Sequence, residues 1–153
     1  MPQITQPKKK KKTTKVKIDT PFDLETPYIK DFIVNGNKIT YKGKNGHWKQ
    51  ILSKTIIERN FTYSFKIKII KTQYKEIKIG VLDRDRQKDS DASWNSDNAV
   101  CYYGWGRCYY GYGKNKQEGD GFSEGEIVTT EVNLSAGTVE WKVDGMRRAG
   151  AQI

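Results

Sequence analysis

A chain of 153 residues has the length of one domain, enough to bury a core without a metal or a disulfide framework. The formal charge of +10 suggests nucleic acid until it is mapped: Lys8 to Lys12, Lys15 and Lys17 supply seven of the 28 basic residues before the first acid, Asp19, and residues 18–153 carry 21 basic against 18 acidic residues, a net +3. No apolar run approaches the roughly 20 residues of a bilayer span and no apolar signal stretch begins the chain, which points to a soluble cytoplasmic protein, with the lysine run as a nuclear-import variant.

Residues 1–20 are Lys, Thr, Gln and Pro with little to bury, so they are expected as a disordered tail whose Lys8 to Lys17 segment suits an anionic partner. Residues 21–153 form the predicted domain. After an irregular lead-in between Pro21 and Pro27, short apolar pieces alternate with turns: 31–34, Asn35-Gly36-Asn37, 38–41, Gly43 to Gly46, and 47–52. Asn-Gly between apolar runs is a hairpin signal, so the domain opens as a meander. In Tyr63-Ser64-Phe65-Lys66-Ile67-Lys68-Ile69 the odd positions are aromatic or β-branched and the even ones polar, the period of a strand with one wet face. Ile77, Ile79 and Val81 repeat it, with Lys71 to Lys75 read as the hairpin loop between. Asp83 to Asn98 is a long polar loop holding Trp94; its carboxylates do not have EF-hand spacing and pair more simply with Arg84, Arg86 and Lys88.

Cys101 to Gly113 alternates large rings with glycines, which suits strands joined by tight turns. Cys101 and Cys108 read as two small buried residues, the alternative being thiols that face each other across neighbouring strands. Lys114 to Gly125 is a Gly-rich polar loop, and Val128 to Leu134 and Val139 to Val143 make a hairpin around Ser135-Ala136-Gly137. Asp144-Gly145 marks a further turn, and nothing after it reads as a strand. With no helical period, the fold class is all-β, a sandwich of about eight to ten short strands.

His47 is the only imidazole, and no nucleophile-base or phosphate-loop context surrounds it. Glu118, Asp120, Glu124 and Glu126 lie close in sequence but in a loop that reads as solvated rather than as a carboxylate pair. The expectation is no enzyme, no catalytic residue, no metal site and no cofactor.

The order of these pieces resembles a SPRY domain, a bent jelly-roll-like antiparallel β-sandwich that serves as an interaction module. The resemblance covers about 80 positions: Phe65 to Ile69 with Ile77 to Val81, Tyr102 to Gly113, Phe122 to Val128, and Val132 to Gly145. Glu126 and Asp144 stand where the family usually has Asp and Asn. Members continue past this last turn into closing strands, so the expectation is a fragment or a sheet with an open edge that invites edge-strand association. The resemblance implies binding of another protein, as a short peptide or partner loop, on the loop surface. Trp94, Tyr102, Tyr103, Trp105 and Arg107 are the candidates, since aromatics and Arg dominate interface energetics, and two or three of them are expected in the core. The alternatives are single-stranded nucleic acid stacked on the rings with the lysine tail on phosphates, and a glycan stacked on Trp94 or Trp105.

Overall fold

The computed structural model describes residues 13–15, 24–25, 32–42, 51–53, 55–72, 74–83, 99–111 and 114–153. Their regular elements are all strands: β1 (Thr13–Lys15), β2 (Leu24–Glu25), β3 (Phe32–Asn35), β4 (Lys38–Tyr41), β5 (Leu52–Ser53), β6 (Thr62–Lys68), β7 (Lys78–Leu82), β8 (Ala99–Tyr103), β9 (Arg107–Tyr110), β10 (Asn115–Gln117), β11 (Ile127–Asn133), β12 (Thr138–Val143) and β13 (Met146–Gln152). The protein is all-β, and no helix among the described residues is long and apolar enough to cross a membrane.

One sheet has the order β10-β9-β8-β7 and a second the order β13-β12-β11-β6-β1, while β2 pairs with β5 and β3 with β4. Every pairing is antiparallel except β1 on β6. The β3–β4 hairpin turns at Asn35-Gly36-Asn37, where Gly36 takes the positive φ of 62° that a two-residue loop requires.

Alternation builds the core. Tyr63, Phe65 and Ile67 of β6 stand opposite Val132, Thr130 and Val128 of β11, which stand opposite Val139, Trp141 and Val143 of β12. This single apolar face packs against Ile79, Tyr102 and Cys108 of the other sheet. Tyr102 stacks on Trp141 across the interface with ring centroids 5.8 Å apart and planes at 28°, and both rings are fully buried. Truncating a buried aromatic of this kind typically costs about 3–5 kcal/mol.

Four expectations need correction. Lys71 to Lys75 is not a hairpin loop: β6 and β7 lie in different sheets, and the chain crosses between them. Two strands with one apolar face can hide it side by side or face to face, and their period is the same in both cases. The chain beyond Gly145 does form a strand, β13, reached through a turn in which Asp144 and Gly145 take φ of 49° and 83°, as a type I′ turn demands. Its inward residues are Ala149 and Ala151, too small to show as an apolar stripe. The polar loop after Cys101 to Gly113 contains β10, which is exposed throughout and held by backbone pairing with β9. Within the tail read as disordered, Thr13–Lys15 pairs in parallel with Thr62–Ser64, and the rest of residues 1–20 lies outside the described residues.

Candidate functional site

The aromatic-glycine stretch folds as strand, turn and strand, β8 to β9 through Gly104-Trp105-Gly106. The pairing of Cys101 with Tyr109, and of Tyr102 with Cys108, decides which rings face where. Even-numbered Tyr102 and Cys108 point into the core; Cys101, Tyr103, Arg107 and Tyr109 point to the outer face of the four-stranded sheet.

Tyr102 is therefore withdrawn from the candidate binding residues. It is 0% exposed, and its hydroxyl donates to the Glu118 carbonyl at 2.6 Å and accepts from the Gly121 N–H at 3.0 Å, which ties β8 to the loop before β11. Burial pushes its phenol above the ordinary tyrosine value. Trp94 lies outside the described residues, as do residues 84–98 of the polar loop.

Tyr103 and Arg107 are half-buried on the outer face. The Tyr103 hydroxyl donates to Glu76 Oε2 at 2.6 Å, and Arg107 Nη1 donates to Asn115 Oδ1 at 2.6 Å. Lys78 Nζ lies 5.3 Å from the Tyr103 ring centroid and 4.5 Å from that of Tyr109. Burial lowers the pKa of this ammonium, and burial next to Glu76 raises that of the Tyr103 phenol. Tyr109, unremarked in the sequence, shares the odd parity of Tyr103, and that was the signal that could have found it. On the same face Ala99 is 2% and Cys101 0% exposed, so the face is covered around them rather than open. Burial lifts the Cys101 thiol to about 12.

The thiols do not face each other. Cys101 points outward and Cys108 inward because their strands pair one residue out of phase, and both cysteines are free.

Trp105 stands outside the core, 52% exposed at the tip of the turn. The turn beneath it is bound on every side. Gly104 N–H donates to the Ile77 carbonyl at 2.9 Å, Phe122 N–H to the Gly104 carbonyl at 3.1 Å, Gly106 N–H to the Tyr103 carbonyl at 2.7 Å, and Glu118 N–H to the Gly106 carbonyl at 2.7 Å. Gln117 Nε2 donates to the Trp105 carbonyl at 2.8 Å. The glycines are required: a Cβ at Gly104 would strike the Lys75 carbonyl, and one at Gly121 would strike the Gly104 carbonyl.

The crossing loop supplies the neighbours that the sequence did not reveal. Tyr74 and Lys75 take φ of 61° and 55°, left-handed values that cost non-glycine residues about 1–2 kcal/mol each. This kink brings Lys75 Nζ to 5.4 Å from the Trp105 ring centroid and 3.4 Å from the Asp120 carbonyl, and leaves Tyr74 67% exposed. Of the acidic quartet, Glu118 Oε1 accepts from Gly150 N–H, Glu124 Oε2 from Thr72 N–H and Glu126 Oε1 from Ser123 N–H. Among the described residues no three metal-ligating side chains converge.

No family model matches this chain, and no curated protein matches it in sequence.

Proposed function

We propose that this protein is a non-catalytic interaction module of the SPRY type that binds a short peptide or partner loop at the surface around Trp105. The observation that carries the reading is Trp105 itself: a half-exposed indole on a turn with five hydrogen bonds beneath it and Lys75 against its ring. A large ring held rigid before binding loses little entropy on contact, which is what an interface anchor needs. Tyr74, strained and exposed on the adjoining kink, extends the same surface. The non-catalytic part is supported by the commitment of Glu118, Glu124 and Glu126 to backbone N–H groups.

The test is selection from a displayed random peptide library, followed by titration of chosen peptides against the wild-type chain, Trp105→Ala and Tyr74→Ala. Trp105→Ala is expected to weaken binding by about 2 kcal/mol or more while the unfolding midpoint stays in place. Peptides that bind Trp105→Ala as well as wild type would remove the proposal. Salt-dependent capture of a single-stranded oligonucleotide that Trp105→Ala abolishes would replace it with the nucleic-acid reading.

A further inference from the structure

Lys75 bears on the charge that a segment docked on Trp105 can carry. Its place is set by the main chain: φ is 55°, the Lys75 carbonyl accepts from the Ile77 N–H at 3.0 Å, and that same carbonyl fills the space a Cβ on Gly104 would need. From there the half-buried side chain reaches the Trp105 ring, with Nζ 5.4 Å from the centroid, and donates to the Asp120 carbonyl at 3.4 Å.

An exposed indole ordinarily attracts a partner's Lys or Arg, because its face is the negative part of the ring quadrupole. Here the chain's own ammonium takes that place. A second cation brought to the same ring would be repelled by the first, whereas an anion would be attracted. The two described contacts of Lys75, a carbonyl and a ring, are with neutral groups, so neither cancels its charge. Tyr74, next in the chain and 67% exposed, adds apolar area beside it.

The neighbouring carboxylates narrow the form of the anion. Glu76, Asp120 and Glu124 are exposed on the segments that flank the turn, where Glu76 Oε2 accepts the Tyr103 hydroxyl and Glu124 Oε2 the Thr72 N–H. A nucleic-acid backbone, charged at every residue, would run past these three negative groups; a single carboxylate seated at Lys75 need not. A phosphorylated side chain is a poorer match too, since a dianion is best held by the forked donors of Arg and Lys75 offers one point charge.

We infer that the segment docked at Trp105 carries an aspartate or glutamate next to its apolar anchor, and that Lys75 is the residue that selects it. The inference rests on the reading of Trp105 as a binding anchor and adds the chemistry of the partner, an acidic and apolar peptide, with basic peptides turned away.

The test is a pair of selections from one displayed random peptide library, against the full wild-type chain and against Lys75→Glu. Asp or Glu is expected beside an aromatic or aliphatic residue in peptides retained by wild type, and Lys or Arg at that place in those retained by Lys75→Glu. A wild-type-selected peptide, labelled with fluorescein and titrated by anisotropy, should lose about threefold to fivefold in affinity when its carboxylate is replaced by the amide or when the protein carries Lys75→Met, with little further loss when the two changes are combined. Asp120→Asn, which removes a carboxylate from the residue whose carbonyl Lys75 touches, should tighten the acidic peptide by about twofold. Should Lys75→Glu fail to fold, selection on Lys75→Met replaces it, and its peptides should show no acidic preference. The inference is overturned if the two selections retain the same peptides, or if Lys75→Met binds the acidic peptide as tightly as wild type while Trp105→Ala does not; the anchor reading then survives without its charge rule. Peptides indifferent to Trp105→Ala would overturn both, and capture of a single-stranded oligothymidylate that is lost in Trp105→Ala and in Lys75→Met would assign the site to nucleic acid instead.

Discussion

Glu118 joins the two sheets: its Oε1 accepts the Gly150 N–H of β13 at 2.7 Å, while its Oε2 pairs with Lys116 Nζ at 2.9 Å beside β9. Burial pushes this carboxyl's pKa up, but the Lys116 bond and the Gly150 N–H outweigh it and hold the value below that of a free glutamate. A lowered folded-state pKa contributes stability that is present above the unfolded value of about 4.3 and lost as pH falls through the folded value. Urea titrations of wild type and Glu118→Ala should therefore differ by about 1 kcal/mol at pH 7 and converge as the pH is taken below 4. A constant difference across that range would show that the charge on Glu118 is not what holds the edge.

Tyr102 and Trp105 are three residues apart and should behave oppositely. Tyr102→Phe removes a hydroxyl that bonds both the Glu118 carbonyl and the Gly121 N–H in a buried site, a loss of about 1–3 kcal/mol in denaturant unfolding. Trp105→Ala should leave stability within about 0.5 kcal/mol while reducing peptide binding.

Thr130 Oγ1 and Trp141 Nε1 are buried with no hydrogen-bond partner among the described residues, and the two residues are opposite each other on β11 and β12. Thr130→Val keeps the shape and removes the unpaired hydroxyl, so it should stabilise the protein by up to about 1 kcal/mol. A thermal melt that shifts downward would show that the hydroxyl has a partner in solution.

Cys101 and Cys108 should resist thiol reagents in the native state at pH 8 and react fully in urea, because burial raises their pKa values to about 12 and about 11. Raised folded-state values give stability that is complete below the unfolded cysteine value of about 8.5 and lost as pH rises toward 11 and 12. Replacing both by Ala should flatten that alkaline decline. Rapid native labelling of either thiol would contradict the burial argument.

Gly121→Ala is expected to destabilise by more than about 3 kcal/mol, since Gly121 has φ of 76° and no room for a Cβ against the Gly104 carbonyl. Circular dichroism of the variant at rising urea concentration tests this directly.

What the sequence determined by itself is the all-β class, the inward residues of β6, β11 and β12, the turns at Asn35-Gly36-Asn37 and Asp144-Gly145, and the strand-turn-strand of the aromatic stretch. These follow from period-two burial and from residues that tolerate positive φ, both of which are local. Only the tertiary structure decided that β6 and β7 belong to different sheets, that MRRAGAQ is a strand, and that β10 is one as well. Those outcomes depend on backbone pairing, which leaves no stripe of its own in the side chains. The division of Cys101 to Gly113 into buried Tyr102, outer-face Tyr103 and exposed Trp105 was likewise set by register and by the kink at Tyr74 and Lys75, because a one-residue shift of pairing would have exchanged the two faces.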